Sequence, residues 1–530
     1  MRPTNATATD VDVAIIGGGP VGKMAAVMLG RKGHRVTVLE RKDHNCPLPR
    51  AVAHDAEIAR ILQNIDMPVT SMDDTIEPYD DLYVWVNGAD ETLHLVDWRG
   101  YDSSGWNNAY FYNQPGLERH LEQRLLELPG VELRRGQTAV VEGQDDRGVT
   151  VGFGDETIRA QYLLAADGAK SGVRKQLEIP WTDLGYFHDW LVVDILPQEN
   201  MEPLTLAKQV ADPHRPTTVV PGGPGRRRWE FMRLEGETAE ELTAPERIWQ
   251  LLEPYGVRPD NATIERGVVY TFSSGWASRF RDGRIMLIGD AAHQMPPFAG
   301  QGLAAGIRDC MNLSWKLDLV LEGRAPDSLL DSFGPERQAH VSDFIDFSIS
   351  LGRIICILDE EEAAERDRTM KTEMESEIEP EAPPRPRLGA GVHRGELGGF
   401  LSLQGWVAAE EYGETRFDDI FGAGTLMVRD AEAVRSLDSE LIDGLQEVGI
   451  AVTCFDPQLE TTEGVLRFAD SAGTYGDWFD GLVVSAVLIR PDAYVFGGAS
   501  GLGGAEELAR EFLAAVTDSG VHRTEGAEAV

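Results

Sequence analysis

Cysteine is scarce in this chain of 530 residues. The four present, Cys46, Cys310, Cys356 and Cys454, lie far apart, with no C-x-x-C pair and no cysteine–histidine cluster at zinc spacing. A disulfide framework, a thiol redox couple and a metal site are therefore not expected, and reduced thiols in a cytoplasmic protein are. Basic charge is also short: 49 Lys and Arg stand against 88 Asp and Glu, for a net charge of −39. Nucleic acids and anionic membranes need basic surface, so neither is an expected partner. No apolar run reaches the roughly 18 residues that span a bilayer. The polar Met1–Val11 stretch has no signal-peptide apolar region.

Glycine, in contrast, is plentiful at 56 residues, and apolar residues make up 42%. The chain is too long for one core, so two or three domains are expected. The apolar run Val11–Ile16 leads into Gly17-x-Gly19-x-x-Gly22, a helical segment Val21–Arg31, and a second apolar run, Val36–Leu39, ending at Glu40. This is a βαβ unit with a glycine turn that lets the backbone approach a pyrophosphate at a helix N-terminus. Glu40 is suited to a ribose hydroxyl. Alone, the motif says only dinucleotide.

Period and punctuation predict helices at Asp55–Asn64, Leu117–Leu128 and about Leu303–Leu321, the last with an apolar face through Ile307, Cys310, Leu313 and Leu317. Residues 11–175 and 276–376 form one unit of α/β type. Residues 176–275, with short strands Leu191–Ile195, Pro216–Val220 and Arg228–Arg233 between Pro/Gly turns, form an inserted, mostly antiparallel sheet. A Pro/Glu-rich connector, Glu379–Pro386, precedes a third unit at 392–520 with alternating strands and helices.

Two further motifs follow the glycine turn in order: Asp167–Gly168-x-x-Ser171-x-Val173–Arg174 and Gly289–Asp290–Ala291–Ala292–His293-x-x-Pro296–Pro297. Together the three resemble the FAD-dependent aromatic hydroxylases, single-component flavoprotein monooxygenases. Residues 217–233 and 285–316, Pro49–Arg50–Ala51, Tyr270–Thr271–Phe272 and Leu488–Ile489–Arg490–Pro491–Asp492-x-Tyr494 resemble the 3-(3-hydroxyphenyl)propionate hydroxylase branch. The resemblance implies a Rossmann-like FAD-binding domain, the inserted substrate domain and a C-terminal thioredoxin-like domain without redox cysteines. The last would cover the flavin unit or support a homodimer.

It further implies FAD contacts at Gly17, Gly19, Gly22, Glu40 with the adjoining Arg41, Arg50, Gln114, Asp167, Gly168 and Asp290. The Pro296–Leu303 loop would lie against the flavin ring through Pro297, Gly300, Gly302 and Leu303, with backbone N–H groups at its helix end. Electrons would come from NADH or NADPH, and O2 would react as a flavin C4a-hydroperoxide. The protein would hold a small phenol, help deprotonate it and exclude water. Candidate catalytic residues are His54, Tyr270 and Pro297; Asp55 reads as a helix N-cap and His293 as a packing residue. Arg226 and Arg228 of the Arg226–Arg228 cluster are candidates for a substrate carboxylate. Trp229, Phe231 and Phe298, with Trp190, are candidates for an aromatic wall.

The implied reaction is ortho-hydroxylation of a small aromatic acid such as 3-(3-hydroxyphenyl)propionate, or of a larger phenolic or polyketide substrate. Flavin halogenases share the fold, but their W-x-W-x-I-P motif is absent. A non-catalytic flavin-binding sensor is compatible with the same motifs.

Overall fold

A strand covered on both faces must be apolar throughout, and Val11–Ile16 is buried from Val13 onward. It pairs in parallel with Val36–Glu40 on one side and Glu156–Ala165 on the other. The computed structural model describes residues 9–47, 50–186, 188–202, 206–376, 385–409 and 412–517. Pro49 of the expected turn and residues 379–384 of the expected connector lie outside the described residues. The first sheet has eight strands: it runs from Arg281–Asp282 through Ile285–Leu287 to Val131–Arg135, with an antiparallel branch at Gly148–Phe153 and Ala139–Asp145. Helices Pro20–Arg31 and Gly302–Leu321 pack together over its core.

The second sheet has seven strands, in the order Ala262–Phe272, His188–Pro197, Arg227–Met232, Thr217–Pro221, Ala207–Val210, Leu82–Val86 and Thr92–Asp97. All neighbours are antiparallel except Ala207–Val210 with Leu82–Val86. The last two strands come from within residues 11–175, so the chain crosses between the two sheets more often than its linear order implies. Alternation divides each strand between two faces. Leu191, Val193, Trp229 and Phe231 join Leu242, Ile248 and Leu252 in a core under the helices Ala239–Thr243 and Pro245–Leu252. Trp190, Asp194, Arg228 and Glu230 occupy the other face, toward the first sheet's loops.

The C-terminal segment builds a five-stranded sheet in the order Val465–Arg467, Ala451–Cys454, Thr425–Val428, Ala486–Ile489 and Val495–Ala499. Helices Ser439–Glu447 and Gly504–Thr517 cover one face, and Thr474–Leu482 the other. Cys454 is buried, and burial pushes its thiol up to about 11. Among the described residues no helix is long and apolar enough to cross a membrane.

The C-terminal sheet is tied to the rest by buried ions. Glu336, from the helix Phe333–Ile355, accepts from both terminal nitrogens of Arg490 at 2.9 Å, from Lys316 Nζ at 2.7 Å and from Asn312 Nδ2 at 2.8 Å. Burial alone would raise the Glu336 carboxyl, but Arg490 and Lys316 hold it well below the usual range. Glu336→Ala strands Lys316 in the dry interior and leaves Arg490 with Asp492 as its remaining carboxylate, and should cost about 3–5 kcal/mol. Urea unfolding of the purified protein measures this; a loss below about 1 kcal/mol would show that the cluster contributes little.

Candidate functional site

The first turn requires glycine at two positions. Gly17 has φ +110°, and a Cβ there would lie 2.2 Å from the Ala166 carbonyl oxygen; one at Gly22 would lie 1.9 Å from Gly17 O. Gly19, by contrast, faces open space. It begins the helix Pro20–Arg31 without any side-chain cap, so the first-turn N–H groups keep their positive potential. Glu40 ends its strand beside this turn, its two oxygens accepting from Gly18 N at 2.7 Å and Lys42 N at 2.9 Å. Arg41 is exposed.

Asp167 accepts from Gly172 N and Val173 N through Oδ2, while its buried Oδ1 has no partner among the described residues. Gly168 follows with φ +80°. Asp290 lies in the short turn Gly289–Ala291. Burial raises its carboxyl, against the opposing charges of Arg50 and His293. The structure thus brings Arg50 and Asp290 together across 240 residues of chain. Gln114 is committed differently from expectation: Oε1 accepts from Arg50 N and Ala51 N, and Nε2 donates to Glu118. It holds the Arg50 segment in place.

The loop after Asp290 makes a tight turn at Pro297–Ala299, closed by Gly300 N donating to Pro297 O at 2.8 Å, with Gly300 at φ +67°. Pro297 therefore shapes the turn, its carbonyl engaged within it. The helix Gly302–Leu321 starts there without a side-chain cap, leaving the N–H groups of Gly302 and Leu303 at an anion-favouring end. A crowded glycine turn, two uncapped helix starts, a half-buried carboxylate and the unpartnered Asp167 oxygen form a donor and acceptor set that fits an extended FAD.

The second sheet meets this loop. Phe298 packs on Trp190 (5.5 Å between ring centroids) and Phe272 (6.1 Å). Arg228 is buried, donates through Nε and Nη2 to Asp194 at 2.7 and 3.1 Å, and through Nη1 to Arg50 O at 2.9 Å. Arg266 approaches the same Asp194 at 3.0 Å and donates to Tyr270 Oη at 3.2 Å.

Several expectations are corrected. His54 lies on the opposite side of its strand from Ala53, which faces Gly300. Its ring stacks on Tyr110 at 4.9 Å, and burial lowers its pKa, so it is a neutral core side chain. Trp229 and Phe231 point into the core under the helices. Arg226 is an edge residue paired with Glu265. Arg228 is a structural cation, because a buried guanidinium needs a carboxylate and Asp194 supplies it. Asp55 does cap its helix, accepting from Ile58 N, and it also takes Gln301 and Arg308. His293 Nε2 donates to Asp309 Oδ2 at 2.7 Å and anchors the loop.

Residues not anticipated also stand on this face: Asp194, Glu230 and Arg266. The signal was present as charged residues within apolar strand runs, at positions sharing a face with Trp190.

Asp290→Ala should weaken FAD binding by roughly 1–3 kcal/mol, the cost of one charge-assisted contact, with the fold retained. Titration of the flavin-free protein with FAD measures this, and unchanged affinity would remove Asp290 from the site.

The FAD binding domain family matches residues 10–348, and the HcaD C-terminal domain family residues 399–515. A probable NADH-specific resorcinol 4-hydroxylase of Rhodococcus jostii (strain RHA1) is 37% identical, with 97% of each chain covered. A 3-(3-hydroxy-phenyl)propionate/3-hydroxycinnamic acid hydroxylase of Escherichia coli (strain SMS-3-5 / SECEC) is 31% identical over 92% of this chain and 91% of its own. Among solved structures, the flavin-dependent monooxygenase PieE in complex with FAD and substrate superposes with a TM-score of 0.78 at 22% identity, covering 95% of this chain and 99% of its own. Aklavinone-11 hydroxylase with FAD and aklavinone gives 0.76 at 23%, covering 97% and 100%; both likenesses concern the fold. The chain belongs to the FAD binding domain family and is, within it, an FAD-dependent aromatic hydroxylase.

Proposed function

We propose that this protein hydroxylates a small phenol at the position ortho to its hydroxyl group, using NADH and O2. The observation that carries this reading is the face of the second sheet between Phe298 and Arg50. One end is aromatic, with Trp190, Phe272 and Phe298. The other is polar, with Asp194, Arg228, Arg266 and Tyr270. A ring with a hydroxyl matches both ends. Bound FAD, once reduced, supplies the activated oxygen.

The chain's own contribution is positional. The first-turn N–H groups of the Pro20 and Gly302 helices and the Asp290 carboxylate hold and polarise the cofactor. The Phe298–Trp190–Phe272 wall keeps water from the ring. The Tyr270 hydroxyl, which accepts from Arg266, has its own hydrogen to donate to a ring oxygen.

An uncharged dihydroxybenzene is the favoured substrate class. Arg228 and Arg266 are both set against Asp194, and Arg226 against Glu265, so a substrate carboxylate would have to compete for a cation. The R. jostii relative, a probable NADH-specific resorcinol 4-hydroxylase, supports this choice. The E. coli relative supports the acid 3-(3-hydroxyphenyl)propionate instead. Aklavinone-11 hydroxylase, of the same fold, supports a larger ring. We further read residues 11–175 with 276–376 as the FAD domain, 176–275 as the core of the substrate domain, and 392–520 as a thioredoxin-like domain without thiol chemistry. The unpaired cysteines suit a cytoplasmic location, and the C-terminal segment suits a homodimer contact.

A panel of phenols tests the reading. Resorcinol-type substrates should stimulate NADH oxidation and give products one oxygen heavier, with kcat/KM roughly 10- to 150-fold above that of 3-(3-hydroxyphenyl)propionate. Preference for the acid would mean that an arginine leaves Asp194 to meet it. Arg226→Ala should affect charged and neutral phenols alike.

A further inference from the structure

The face of the second sheet is a lattice of side chains in register. One row holds Met232, Trp190 and Tyr270, and packs on Phe298 of the flavin loop. A second row holds Arg228, Asp194 and Arg266, and is tied to Arg50. Between them runs a third row, Thr218–Glu230–Val192–Val268. Glu230 thus sits in the middle, flanked by the two edges of the flavin site.

Polar groups around it are engaged with one another. Both oxygens of Asp194 are taken by arginine. Tyr83 Oη and Thr218 Oγ1 both donate to Gln209 Oε1, at 3.2 and 2.8 Å. Glu230 differs. Its Oε1 has one long contact, 3.5 Å from Arg228 Nη1, and its Oε2 accepts no hydrogen bond from any described residue. The side chain is 13% exposed. A nearly buried carboxylate with an uncommitted oxygen, central on the face that meets the flavin loop, is an acceptor awaiting a donor.

We propose that Glu230 is a catalytic residue, whose carboxylate accepts a hydrogen bond from the substrate's phenolic hydroxyl and takes its proton. This rests on the aromatic-hydroxylase reading above. The O–H bond breaks with its electron pair left on the phenol oxygen, and the proton bonds to a Glu230 oxygen. The electron-rich ring is then activated ortho and para to that oxygen, and the proton passes to water after product leaves. A negative group on the substrate at this point would be repelled by Glu230, which selects neutral phenols.

The charged and titratable groups facing Glu230 are Arg228 on its own strand, Asp194 on the neighbouring strand, Arg266 on the strand beyond it, and Tyr83. Burial raises the Glu230 carboxyl and Asp194 adds to this, while Arg228 and Arg266 oppose. The active form is deprotonated, so kcat/KM should fall on the acid side, at a pH above the ordinary glutamate value of 4.5. A raised pKa also brings the base closer to that of a phenol.

The test uses the FAD-loaded protein. Glu230→Gln should lower kcat/KM for resorcinol about 100-fold or more and remove the acid limb of its pH profile. A nitrophenol bound to wild type should show its phenolate absorption band at a pH where the free compound is protonated, and the variant should not. Should the variant lose its FAD, the pH titration of this band in wild type decides alone: a band independent of pH across the acid limb overturns the proposal. An unchanged limb and band in Glu230→Gln also overturn it, leaving the hydroxylase reading intact. Failure of wild type to hydroxylate any phenol would refute the hydroxylase reading itself.

Discussion

A carboxylate shielded from water, Asp309, holds the loop around which this protein is arranged. It sits in the middle of the Gly302–Leu321 helix and accepts from Gly289 N at 2.8 Å, contacts His293 Nε2 at 2.7 Å, and takes Arg337 Nε at 2.8 Å. Burial would raise its pKa, yet His293 and Arg337 keep it low and therefore charged. Such a charge is costly to bury and is tolerated because both oxygens are hydrogen-bonded and two of the donors can carry positive charge. Its effect is to fix both ends of the Gly289–His293 turn to a rigid helix. Asp290, between those ends, is held in the orientation that a cofactor contact needs.

The same network reaches the C-terminal sheet. Arg337 contacts His340, His340 contacts Tyr494, and Tyr494 donates to Glu57, which binds Arg308. Arg308 then meets Asp55 and Gln301, at the start of the flavin-loop helix. A segment more than 400 residues from the glycine turn thereby packs within a few bonds of the candidate site. Fully satisfied polar networks of this kind specify one arrangement of the parts they join. The C-terminal sheet thus has a clear structural use.

On the substrate side, charge is balanced locally. Asp194 and Glu230 together balance Arg228 and Arg266, so the face is polar without a strong net field. The aromatic end is dry and the polar end is rich in hydrogen bonds. On the proposed reading, that combination would orient a ring by its hydroxyl more than by its charge.

Local chemistry made the flavin end legible in the sequence. A turn in which Gly17 and Gly22 have no room for a side chain, and a helix start without a cap, are dictated by residues within a few positions of one another. The apolar periods likewise indicated the strand Val11–Ile16 and the long helix to Leu321, with their ends off by a residue or so. The substrate face was not legible, because alternation creates two faces and only strand pairing decides which one meets the flavin loop. So His54 turned toward Tyr110, Trp229 and Phe231 toward the helices, and Glu230 toward the site. The partner of Arg228 was equally hidden: Asp194 lies 34 residues away and becomes its neighbour through antiparallel register. The sequence by itself determined the backbone turns and the cofactor they suit. Tertiary structure alone decided which charged and aromatic side chains confront one another, since a buried ion pair and a pocket wall exist only once distant strands are in register.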